Sequence, residues 1–416
     1  MAYRKMRRIF ASKINKPMNM NMKKLASLFV AFALCVPFVA CAQADVAINA
    51  ENFPDANFRA FLLKQSYGAD SVLTAAEIKQ ITSLEIINKK IRSLKGIEHF
   101  SALEKLSTSN PLGTLDVSQN TALTFLFCSA NHLTTLDLSK NTALKELWCA
   151  DNQLTTLDLS KNTALTGLWC EGNQFTELDV SHNKALTKLL CQNNKLTTLD
   201  ISQNTALTDL CCGKNPLTTL DVSQNTALRW IACWDTQITE LDVSQNAALE
   251  SFDCSDCQLT ALDVSRNTAL LRLHCNNNQL TALDVSQNTA LEKLFCDHNR
   301  LTVLDVSQDT ALTELHCAFN QLTALDVSRN AALTMLTCYG NQIYKVAMDA
   351  LIKSLPKKQP RKNEEYYFHV VSMDTPSEGN ACTKAQVAAV KAKGWTPYYR
   401  YFDSILRWKK YEGSNP

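Results

Sequence analysis

Glycine and proline are scarce in this chain of 416 residues, with ten of each. So little glycine excludes the glycine-rich nonapeptide solenoids that hold calcium between their turns. No apolar run reaches the roughly 20 residues of a spanning helix. The longest candidate, Leu25 to Ala40 behind Lys23 and Lys24, falls in a segment, 1–44, with eight Lys or Arg and no Asp or Glu, which reads as an export signal. Beyond it the chain keeps 34 basic side chains against 40 acidic ones, a net charge of −6 with His neutral. A mildly acidic chain of this kind offers no electrostatic footprint for nucleic acid, so DNA and RNA are not expected partners. Also missing outside the repeat periodicity are G-x-S-x-G, H-E-x-x-H, a P-loop and paired carboxylates, so no catalytic residue, cofactor or enzyme activity is assigned.

Two processing sites compete at the end of the signal. Ala42-Gln43-Ala44 suits ordinary A-x-A cleavage and is preferred, whereas Phe38-Val39-Ala40-Cys41 resembles a loose lipobox that would leave Cys41 acylated. A lipid on Cys41 is the one membrane link the sequence offers. Either route makes the protein secreted or held at the cell surface.

What the chain has in excess is order. Eleven cysteines recur every 21 residues from Cys128 to Cys338, each in the frame L-x-x-L-x-C-x-x-N-x-L-x-x-L-D-V-S-x-N-T-A. That spacing indicates a leucine-rich-repeat solenoid, whose turns bury their apolar edges only by stacking on one another. The expected fold is an α/β repeat solenoid: a curved stack with a parallel sheet on its concave face. In each turn Leu123, Leu126, Cys128, Leu133, Leu136, Val117 and their equivalents point inward. The cysteines replace a buried leucine and are read as free packing thiols, because in-register Cβ atoms on strands about 4.8 Å apart sit wider than the roughly 3.8 Å a disulfide prefers.

The polar columns receive structural readings too. Asn131 and its equivalents to Asn341 form a hydrogen-bond ladder, broken by Thr236 and Cys257. Asp116 to Asp326 and Asn120 to Asn330, with Asp309 in one Asn place, supply local turns and not calcium ligands. His274, Asp297, His298 and His316 fall on neighbouring turns, yet variable positions gain His by chance and no fourth ligand is evident. Cys254 and Cys257 make a C-x-x-C with no second pair, so no metal is assigned.

Two irregular turns, Ile81–Phe100 and Ser101–Asp116 with Thr108 in the cysteine column, bring the expected total to thirteen. The expected division is a signal over 1–44, a helical N-terminal cap over 45–80, the solenoid over 81–343 and a small α+β C-terminal cap over 344–416. In the first cap, Ser66 to Glu77 looks superficially like a calcium loop but matches only at Asp70 and Glu77, and reads as helical capping. In the second, a helix over 345–355 stopped by Pro356, a basic linker from Lys357 to Lys362, a strand over 366–371, a helix over 383–393 and strands over 395–401 and 405–411 are expected.

The frame L-D-V-S-x-N-T-A-L-x-x-L-x-C-x-x-N-x-L resembles the 21-residue cysteine-ladder repeats of internalin-J-like proteins and related secreted leucine-rich-repeat proteins of Gram-negative bacteria. Asn52-Phe53-Pro54-Asp55 with Leu94-Lys95-Gly96-Ile97-Glu98, and Cys382-Thr383-Lys384-Ala385-Gln386-Val387, look like the caps of that group. The resemblance covers about 360 residues and implies adhesion or recognition, by surfaces that differ between members. An L-P-x-T-G sorting motif is lacking, so wall anchoring is not implied.

Strand side chains alternate, so residues between the buried positions should face water. That column carries Phe127, Trp148, Trp169, His274, Phe295 and His316, and adjacent columns add Trp230, Trp234, Phe319 and Tyr339. Such an aromatic stripe is the candidate ligand site, with mutual stacking as the plainer reading. A protein on a host or neighbouring cell is the favoured partner, anchored on the tryptophans with Glu146, Glu171, Lys188, Arg272 and Lys293 as a charged rim. A glycan stacked on the same rings is the alternative.

Overall fold

The computed structural model describes residues 44–359, 365–372, 378–403 and 405–414. The export signal, Cys41 and part of the Lys357–Lys362 linker lie outside the described residues. Sixteen strands form one sheet in strict chain order. Two five-residue strands, β3 (Ser83–Ile87) and β4 (Lys105–Ser109), are followed by eleven of three residues, from β5 (Phe125–Phe127) to β15 (Met335–Thr337). All of these pair in parallel and in step, Leu126 against Leu147 and Phe127 against Trp148. An in-step 21-residue period lays each sequence column directly along the sheet.

Each turn is closed by the columns the sequence displays. Leu126, Cys128, Leu133 and their equivalents are fully buried, each leucine contributing about 2 kcal/mol of apolar burial. The Cys128 amide donates to the Trp148 carbonyl of the next turn at 2.7 Å. Two residues after each ladder cysteine the backbone passes through the left-handed region, at Asp151 (φ 53°), Gly172 (68°), His298 (53°) and Phe319 (50°) among others. The Asn ladder follows. Asn152 Nδ2 donates to the carbonyls of Cys128 and Cys149, both at 3.0 Å, while its Oδ1 accepts from the amides of Asn131 at 3.1 Å and Leu133 at 2.9 Å. Asn110 extends this ladder one turn earlier, its Oδ1 taking the Lys89 amide at 2.8 Å.

The aspartates are committed to turns, as Asp137 Oδ1 accepting the Ser139 amide at 2.8 Å shows, and the same bond recurs along the column. At the two ladder breaks Thr236 Oγ1 donates to the Cys233 carbonyl at 2.9 Å and lies 3.2 Å from Cys257 Sγ. Neither side chain supplies the amide oxygen that elsewhere receives a leucine N–H. The second column is one-sided: Asn141 Nδ2 donates to the Val117 and Asn120 carbonyls at 3.0 and 2.9 Å, while its Oδ1 is buried without a partner.

All fourteen cysteines of the described residues are free and buried. Burial pushes the Cys128 thiol up to about 12, which suppresses the nucleophilic thiolate.

The caps differ in kind. Before β3 lie α1 (Ala56–Leu62) and α2 (Ala75–Gln80), together with an antiparallel pair, β1 (Val46–Ala47) and β2 (Val72–Leu73), that sequence reading did not anticipate. Asp55 caps α1 and reaches over to the Arg92 amide at 2.8 Å, tying cap to first turn. Gly96, at φ 103°, leaves room for the Phe53 ring, where a Cβ would collide with it. Glu77 is spent on a capping box with Thr74, its carboxylate accepting the Thr74 amide at 2.9 Å. At the far end, α3 (Val346–Ser354) and α4 (Lys384–Ala392) pack together, but the last strands continue the solenoid sheet. β16 (Tyr367–Ser372) adds in parallel to β15, β17 (Thr396–Asp403) in parallel to β16, and β18 (Ile405–Lys410) returns antiparallel.

Candidate functional site

The aromatic stripe lies on the open face of the sheet, as the alternation of strand side chains requires. Apart from the buried Tyr339, its residues are half-buried and not freely exposed, because neighbours one turn apart cover each other. Phe127 meets Trp148 at 6.1 Å, and Trp148 stacks on Trp169 at 4.2 Å with planes 16° apart. Beyond them Leu190, Cys211 and Ala232 are buried among Trp169, Trp230 and Trp234, forming a second apolar cluster outside the solenoid interior. Asp253 ends this patch, its Oδ1 turned to the Ser255 amide at 3.1 Å.

Two glycines make the patch possible. A Cβ at Gly167 would collide with the Trp169 ring, and one at Gly213 would come within 2.9 Å of the Trp234 ring. Other turns carry side chains at both places, so the signal was present in the sequence as glycine in an otherwise occupied column.

The C-terminal half of the stripe is built differently. His274, Phe295 and His316 stack in a row at 4.3 and 4.4 Å. A second row runs from His298 to Phe319 at 4.1 Å and on to Tyr339 at 5.0 Å. His298 and Phe319 hold left-handed backbone angles, a conformation bulky residues seldom adopt. Residues from the last strands, which sequence reasoning missed, complete the site. Trp408 stacks on His369 at 4.0 Å and meets Tyr339 edge-on at 5.4 Å. The Arg400 guanidinium lies over Phe319 and Tyr339 at 5.2 and 5.6 Å. This covering leaves Tyr339 only 8% exposed, so of the sequence-named residues it is the one least open to a partner.

The charges around these rings are paired along the sheet. Lys188 meets Asp209 at 3.0 Å and Lys293 meets Glu314 at 2.5 Å, each one turn away. Half-buried imidazoles lose their charge: burial holds His316 down to about 4, against a smaller opposing pull from Glu314. Burial likewise pushes the Asp297 carboxyl up to about 7, although its Oδ1 accepts the Ala318 amide at 2.8 Å. Among the described residues no three His, Cys, Asp or Glu side chains are grouped to hold a metal ion.

Residues 192–210 match the family described as Leucine Rich repeat. The functional domain of InlJ from Listeria monocytogenes, whose structure includes a cysteine ladder, is 32% identical, with a TM-score of 0.60 over 80% of this chain and 83% of that one. The chain belongs to the internalin-type, cysteine-ladder leucine-rich-repeat family. The internalin InlF of the same organism superposes with a TM-score of 0.67 over 78% of this chain and all of that one, at 24% identity. A leucine-rich-repeat protein of Leptospira interrogans shares the fold at 20% identity, with a TM-score of 0.57 over 76% of this chain and 89% of that one. No curated protein sequence matches. The sheet architecture is thus shared with the internalin-type relatives.

Proposed function

We propose that this internalin-type protein is exported and acts as a recognition module, binding a protein on a host or neighbouring cell through the open face of its sheet. The observation that carries this reading is the tryptophan patch, where Trp148 and Trp169 stack face to face and Gly167 is kept bare beneath them. Partly exposed indoles over a packed sheet match the anchors that dominate interface energetics. Binding needs only rigid display, with no chemistry. Phe127, Trp230 and Trp234 extend the patch, while His274, Phe295, His316 and Phe319 form a second contact region beyond Asp253.

Replacing Trp148 and Trp169 together by alanine is expected to weaken binding of the labelled protein to target cells at least tenfold. Because the rings also cover each other, the same pair should cost about 1–2 kcal/mol of stability. Flow cytometry and urea denaturation measure the two effects. Unchanged binding would move the site off this patch, and binding that survives protease treatment of the cells but is blocked by free saccharide would favour a glycan on the same rings.

A further inference from the structure

The open face ends, towards the last strands, in a cavity of about 400 Å³ whose lining includes Asn276, Asp297, His316, Tyr339, His369 and Trp408. Its size falls within the range of small-molecule sites, about 300–1,000 Å³. One wall is flat and aromatic, made by Trp408 stacked on His369 with Tyr339 against its edge. The opposite side is polar, with the Asn276 amide and the Asp297 carboxyl.

One polar group there is unpaired. His316 Nε2 is buried without a hydrogen-bond partner in the protein, a condition that costs about 1–3 kcal/mol unless something answers it. His369 is better served, its Nδ1 lying 3.1 Å from Thr337 Oγ1. Burial keeps both imidazoles uncharged at neutral pH, each held down to about 4. The nearby Arg400 guanidinium is turned onto the Phe319 and Tyr339 rings. The lining thus holds a ring face, groups that can both donate and accept, and no committed cation.

We propose that this cavity binds one neutral sugar residue, its ring face on Trp408 and its hydroxyls on Asp297, Asn276 and His316. A hydroxyl both donates and accepts, so it can pair with a neutral imidazole in either tautomer and with a carboxyl group in either protonation state. The proposal goes beyond the protein-binding reading; it stands apart from the Trp148 and Trp169 patch, which lies on the other side of Asp253, and shares only His316 with the second contact region.

The test is saturation-transfer NMR and tryptophan-fluorescence titration of the full chain with methyl glycosides of neutral hexoses and N-acetylhexosamines, with sialic acid as an anionic probe. At least one neutral glycoside is expected to saturate the site. Trp408→Ala should raise its Kd at least tenfold, and Asn276→Ala or Asp297→Ala at least threefold, while Trp148→Ala leaves it unchanged. If Trp408→Ala disturbs the last strands, the two polar variants decide alone. Failure of every neutral glycoside to saturate, tighter binding of sialic acid, or an affinity indifferent to Asn276→Ala and Asp297→Ala would overturn the proposal. None of these outcomes bears on the Trp148 and Trp169 patch, whose test is separate.

Discussion

Asn152→Ala is expected to destabilise the solenoid by about 3 kcal/mol, in line with a buried amide whose partners are left without replacements. The residue is 8% exposed, and its side chain bonds to its own turn and to the preceding one. Truncation leaves the Asn131 and Leu133 amides without the oxygen they share, and removes a donor from the Cys128 carbonyl and one from the Cys149 carbonyl, which keeps Asn173 Nδ2 at 3.0 Å. Alanine offers none of these groups, and the site is too enclosed for bulk water to take over. Because solenoid turns are stabilised mainly by their neighbours, the loss should be felt locally first. Hydrogen exchange at the Leu133 amide should quicken about a hundredfold, the equivalent of about 3 kcal/mol. Gln153→Ala, one residue on and exposed, should change stability by less than about 0.5 kcal/mol. Equal effects at the two positions would mean the ladder is not what holds the turns together.

The second large effect has the opposite sign and depends on pH. Asp309 occupies a place in the donor-only column where other turns carry asparagine. Asn288 and Asn330 on either side each donate to two backbone carbonyls, but Asp309 has no N–H to give, and both its oxygens are buried without a partner. Burial, reinforced by the charges of Asp305 and Asp284, pushes its carboxyl from 3.8 up to about 7. A carboxyl with a raised folded-state pKa is proton-bound in the folded chain while the unfolded chain has already ionised. Its penalty is therefore absent below about pH 4, grows between pH 4 and 7, and is complete above pH 7. Each tenfold rise in proton affinity on folding corresponds to about 1.4 kcal/mol, so Asp309→Asn should stabilise the protein by about 4 kcal/mol at pH 8 and by less than about 1 kcal/mol at pH 4. Urea denaturation of both proteins across that range measures the difference. A pH-independent gain would show that the carboxyl is solvated in the folded chain.

The fold was legible because a fixed period turns a linear sequence into columns, and each column has one physical task. Leu126, Cys128, Asn152 and Asp137 could be placed without coordinates, since stacking in step leaves each of them a single kind of neighbour. The caps were less legible. Strands of two residues such as Val46–Ala47 carry no periodic signal, and their pairing with Val72–Leu73 depends on a contact across the cap. Glu77 illustrates a local ambiguity, since the same carboxylate that matches a calcium loop at one spacing completes a capping box at another.

The candidate site was legible as a direction and not as an exposure. Alternation shows that Trp148 and Trp169 leave the interior, but how far they are covered depends on residues 21 positions away and on Gly167 below them. Trp408, Arg400 and His369 lie outside the repeats, so no column announced that they would close over Tyr339 and frame a cavity. The bent backbone at His298 and Phe319 was likewise hidden, because the left-handed position in each turn accepts Ala, Asp, Lys, Asn and Gly as well as these rings.

The whole assignment of faces depends on the ladder thiols filling the interior, and thiol labelling addresses that most directly. Intact-mass analysis after iodoacetamide treatment of the folded protein should show Cys128, Cys149 and the other nine ladder cysteines unmodified, with all of them labelled once denaturant is added. Rapid labelling of those cysteines in the folded protein, without denaturant, would contradict the buried ladder and with it the position of every side chain on the open face.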